Sequence, residues 1–173
     1  MPASGSPPAR PVARVGVALR HRAAHLLARL HHGPASGGLS RRAQLRALLA
    51  VLDEAVAAQR PADAAVAACG EPGPVSGRTA QDCGHAGSAI VRLRARLLAL
   101  PLTQPDLLAA QAYAGRLLAY DQWMLRQSLN LAFSTHPDAR TQEARQRLNG
   151  LGRPADDLRR LRDALRAAWT YCP

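Results

Sequence analysis

The sequence predicts an all-α fold, and three observations carry that expectation. Ala, Leu and Arg, the strongest helix formers, supply 85 of 173 residues, while aromatic residues make up only 3%. Apolar residues recur at helical spacing along nearly the whole chain, and no alternating strand pattern competes. Gly/Pro breaks divide the chain into segments of helix length, as in an antiparallel bundle of neighbouring helices. The expected architecture is four main helices plus one or two shorter C-terminal ones. It forms a single helical-bundle domain over 12–173, with a disordered tail at 1–11.

The tail, MPASGSPPARP, has little to bury. A helix is then expected over 12–32, with Val12, Val15, Leu19, Ala23, Leu26 and Leu30 in one stripe, ending at Gly33-Pro34. After the GPASGG linker, Ser40 is a suitable N-cap for a helix that Pro61 should stop at Arg60. Its apolar face is Leu45, Leu48, Leu49, Leu52 and Val56, and a short Ala-rich turn over 62–69 leads into the loop at 70–77.

Three hydroxyl–carboxylate pairs then mark helix starts: Thr79-x-x-Asp82, Thr103-x-x-Asp106 and Thr135-x-x-Asp138. In each, the hydroxyl is expected to cap a free N–H, with Asp three residues on at the positive end of the helix dipole. They place helices at about 80–100, 104–134 and 136–148, and a last one at about 154–171. The 104–134 helix shows two apolar stripes, through Leu118 and Leu125 and through Leu117 and Met124, so it should be packed on two sides.

Charge is lopsided. Residues 1–52 hold eight arginines and no acid, so eight of the net +11 charge lies there. Every basic residue apart from histidine is Arg, which GC-rich coding in a bacterium explains, but that coding does not explain missing acids. The outer stripe of the 12–32 segment, Arg14, His21, His25 and His32, lies opposite the apolar stripe, with Arg22 and Arg29 flanking it. These six residues are the candidate contact surface for an acidic protein partner. His21 and His25 have a metal-ligand spacing, but they point away from the core beside arginines, so no metal site is expected.

Asp121 falls between the two stripes of the 104–134 helix, where a carboxylate must pair or stay protonated. Arg94 is the expected partner in a buried ion pair. Trp123 lies on the polar side of the same helix, either as a surface contact or, the favoured expectation, covered by the C-terminal helix. Cys69 and Cys83 flank the Gly/Pro loop and are expected as small buried thiols in a reducing cytoplasm, not as a disulfide or zinc site. No apolar run reaches the ~18 residues of a membrane span. No nucleotide-binding, hydrolase or metalloprotease motif occurs, so no catalytic residues and no cofactor are assigned. The functional expectation is a small non-catalytic interaction or regulatory protein. The alternatives are nucleic-acid binding by the basic N-terminal third, and an enzyme with a pocket near Asp121. Oligomeric state is not legible in the sequence.

Overall fold

The computed structural model describes residues 39–135 and 138–170. These form five helices and no strand: α1 (Arg41–Gly70), α2 (Gly77–Leu98), α3 (Pro105–Ala132), α4 (Ala139–Gln146) and α5 (Arg153–Thr170). The expected 12–32 helix, and with it Arg14, His21, Arg22, His25, Arg29 and His32, lies outside the described residues.

Helix α1 corrects the sequence expectation. Ser40 caps it as foreseen, its Oγ accepting from Ala43 N at 3.2 Å, but Pro61 does not end it. Proline removes the N–H that would serve the Ala57 carbonyl. Ala57 and Pro61 are both on the exposed side, where water can meet that carbonyl. Beyond the proline, Ala62, Ala65, Val66 and Cys69 continue the buried face of Leu48, Leu52 and Ala55. Burial of that face outweighs the local penalty, as tertiary packing commonly overrides helix propensity.

All three expected N-caps are displaced, each for an identifiable reason. Helix α2 starts three residues early, at Ser76, whose Oγ accepts from Thr79 N; Thr79 is the residue being capped. Before α3, Thr103 is drawn away by Gln44, which donates through Nε2 to Thr103 Oγ1 and accepts from Thr103 N. Gln104 then takes the cap position without a side-chain bond, and Pro105 opens the helix. At α4, Asp138 itself is the N-cap, its carboxylate accepting from Thr141 N at 2.6 Å. That bonding from Thr141 holds the Asp138 carboxyl below its ordinary value.

Helices α1 and α3 share the centre, each packing against all four other described helices. Leu107, Ala114, Leu118 and Leu125 of the first α3 stripe are buried, and Tyr113 and Met124 of the second are partly buried. At one end of the molecule the start of α1 meets the start of α3 and the end of α5. Arg41 bonds Asp106 at 2.9 Å, and the Arg42 and Arg46 guanidinium groups stand 5.0 and 5.3 Å from the Trp169 ring centroid.

The α4–α5 connection is fastened to α1. Asp63 Oδ1 accepts from Leu151 N at 2.7 Å, and Gly150, with φ +118°, passes directly over that carboxylate. Arg145 Nη1 donates to Gly73 O at 2.9 Å, tying α4 to the α1–α2 loop.

Candidate functional site

Position within α3 sends Asp121 inward, and its side chain is fully buried. Gln59 of α1 donates through Nε2 to Asp121 Oδ2 at 2.8 Å. Asp121 Oδ1 and Gln59 Oε1 have no hydrogen-bond partner. An unpartnered acceptor on each of the two side chains suits a protonated carboxyl, because a proton on Oδ1 supplies a donor. Burial pushes the Asp121 carboxyl up to about 6; the Gln59 bond opposes that rise and the charge of Asp63 adds to it.

The ion pair expected between Arg94 and Asp121 is therefore replaced by an amide–carboxyl pair. Arg94 donates through Nε to Gly115 O at 3.1 Å instead. Gly115 has no side chain over its carbonyl and lies against Leu98, so the arginine meets α3 backbone well before it reaches Asp121. Gln59 was the missed residue. Its signal is a polar side chain in the otherwise apolar row Leu48, Leu52, Ala55, Gln59, Ala62.

Tyr113 and Tyr120 do not join Asp121 in a pocket. They lie about 80–100° away around the helix. Tyr113 is partly buried, with the Arg116 guanidinium 5.6 Å from its ring centroid, and burial raises its hydroxyl above the ordinary value. The described cavity, about 500 Å³, lies elsewhere, as a groove between α1 and α2 lined by Pro61, Ala65, Ala68, Asp82, His85 and Ala86 among others.

Cys69 and Cys83 are buried free thiols with Sγ atoms 3.7 Å apart. Cys83 Sγ also lies 3.6 Å from Ala65 O. His85 is exposed and lines the α1–α2 groove. Among the described residues no group of three His, Cys, Asp or Glu side chains could hold a metal ion.

The surface offers a clearer candidate. Trp123 is 52% exposed and Tyr120 38%, with ring centroids 5.5 Å apart. The C-terminal helix does not cover Trp123, correcting the favoured expectation. Helix α5 instead seats its own Trp169 against Arg42 and Arg46 of α1. At 100° per residue, Leu108, Ala112 and Trp123 fall within about 60° on the outer side of α3. On α2, Val91 and Leu98 share an exposed face, and the contact of Leu98 with Gly115 joins that face to α3.

Charge on these two helices is one-sided. Arg92, Arg116 and Arg126 are exposed, whereas the three acids are placed elsewhere. Asp82 lines the α1–α2 groove, Asp106 bonds Arg41, and Asp121 is buried. Exposed apolar and aromatic side chains thus share α2 and α3 with exposed arginines.

No protein-family model matches the chain, and no curated protein or solved structure matches it either. Among the described residues no helix is long and apolar enough to cross a membrane.

Proposed function

We propose that the chain is a small non-catalytic helical protein, an antiparallel bundle of four main helices, that works by binding an acidic protein partner. The observation that supports this reading is the half-exposed Tyr120–Trp123 pair, continued by Leu108, Leu98 and Val91. Folding has left these large apolar side chains in water although the same helices bury Leu107, Leu118 and Leu125. Large exposed apolar side chains gathered on two adjoining helices are a feature of interaction sites. Trp, Tyr and Arg are the residue types that most often dominate binding energy. The exposed arginines favour an acidic partner, speeding encounter and rejecting basic surfaces. The N-terminal stripe of Arg14, His21, Arg22, His25, Arg29 and His32 extends the same charge preference.

Because the Trp123 ring is half in solvent, Trp123→Ala should leave the melting temperature within about 2 °C of wild type, the effect of a surface change. It should nevertheless weaken capture of the partner by 10-fold or more, the loss of one hot-spot side chain. Tagged wild-type protein and the variant, isolated side by side from native cells, provide the comparison. Charge reversal at Arg14, Arg22 and Arg29 should also reduce capture without lowering the melting temperature. An acidic protein retained equally by wild type and Trp123→Ala would refute this surface as the site. Bases also stack on exposed aromatics beside arginines. Nuclease treatment separates the two: it should leave the captured protein in place, and its loss would indicate nucleic acid instead.

A further inference from the structure

The two buried thiols have no part in that surface. Cys69 lies in the last turn of α1 and Cys83 in the second turn of α2, on either side of the connecting loop at 71–76. Their Sγ atoms stand 3.7 Å apart, and disulfide sulfurs stand ~2.05 Å apart, so closure needs an approach of under about 2 Å. The intervening loop is largely exposed, and Gly73, with φ +91°, has nothing within 4 Å of where a Cβ would stand. That segment can absorb a small relative shift of the two helix ends.

Two further features bear on reactivity. The α1–α2 groove is lined by Ala65 and Ala68, which precede Cys69 on α1, and by Asp82 and Ala86, which bracket Cys83 on α2. Neither cysteine lines the groove and both thiols are buried, so a small reagent reaches them from it only as the adjoining ends of α1 and α2 shift. Arg145 is buried, its Nε has no hydrogen-bond partner, and its charge favours an anionic sulfur at Cys69.

We propose that Cys69 and Cys83 form a redox-sensitive clasp, a dithiol that a small-molecule disulfide oxidises to an intrachain disulfide tying α1 to α2. Cys69 loses its proton to solvent and its thiolate attacks one sulfur of the small disulfide. A Cys69–S bond forms, the reagent's S–S bond breaks, and one small thiolate leaves. Cys83 then gives its proton to solvent and attacks the Cys69 sulfur, expelling the second small thiolate. Two electrons pass from the cysteine pair to the reagent, which ends as two thiols. Burial pushes both thiols up, Cys83 to about 12, and the charge of Arg145 favours the anion at Cys69, which is therefore assigned the first attack.

The test uses the full chain with Cys172→Ser, so that only this pair can react. Incubating folded protein with oxidised glutathione should lower the intact mass by two hydrogens and join the peptides carrying Cys69 and Cys83. The melting temperature should rise by about 5–10 °C, as closing a loop of this length implies, and fall back on reduction. Adding Cys83→Ser should trap a glutathione adduct on Cys69, whereas Cys69→Ser should acquire several-fold less adduct on Cys83. Failure of the folded protein to lose two hydrogens, under conditions that oxidise the denatured chain, would overturn the proposal. A disulfide that forms without moving the melting temperature would remove the clasp, and equal adducts in the two serine variants would remove Cys69 as the attacking thiol.

Discussion

Replacing Asp121 by asparagine is expected to stabilise the protein at pH 7 by about 2–3 kcal/mol and to do nothing comparable at pH 4. An unperturbed Asp titrates near 3.8 and the buried one near 6. The folded state thus binds this proton more tightly than the unfolded state does. For an acid raised in this way, the favourable contribution is complete below the unfolded value and is lost as pH climbs through the folded one. Between about pH 4 and 6 the wild type should therefore weaken as pH rises. The full span, at about 1.4 kcal/mol per pH unit, is close to 3 kcal/mol. Asparagine carries no charge to desolvate, and its Nδ2 can donate to Gln59 Oε1, which otherwise has no donor. In melting temperature the gain at pH 7 is about 5–10 °C. Thermal melts of both proteins from pH 4 to 7 provide the check. Parallel pH profiles would show that Asp121 is not the group responsible.

Gly150→Ala should be strongly destabilising, costing about 3–5 kcal/mol. With φ at +118°, Gly150 holds a backbone conformation that side chains disfavour. Its new Cβ would also stand 2.4 Å from Asp63 Oδ1. The carboxylate would have to leave, and with it the bond to Leu151 N that fastens the start of the α5 region to α1. Gly73→Ala supplies the control: its φ is +91° but nothing lies within 4 Å of the added atom, so only the backbone cost of about 1 kcal/mol remains. Urea unfolding of the three proteins should rank Gly150→Ala well below Gly73→Ala. Equal losses would mean that the Asp63 contact contributes nothing.

The helices were legible where local pattern and tertiary burial agree. The last helix was expected over 154–171 and spans Arg153–Thr170, because its Leu158, Leu161 and Leu165 row and its Gly-rich approach point the same way. Agreement fails where a distant group intervenes. Pro61 reads as a stop, yet α1 continues because Val66 and Cys69 have a core to enter on α2 and α3. Thr103 reads as a cap, yet Gln44, 59 residues earlier, claims it. The same holds at the candidate site. The interior position of Asp121 was visible in its wheel, but its partner was not, since choosing Gln59 over Arg94 depends on where Gly115 exposes its carbonyl. The exposure of Trp123 depends on where α5 settles, and Arg42 and Arg46 draw Trp169 to α1.

The interaction reading is tested most directly by placing a photo-crosslinking amino acid at position 123 in the native cell. The result expected is one dominant adduct with an acidic protein, reduced by Arg116→Glu and by raised salt, as screened charge attraction requires. Irradiation that yields no protein adduct, or the same adducts from an exposed control position such as Gln146, would contradict it.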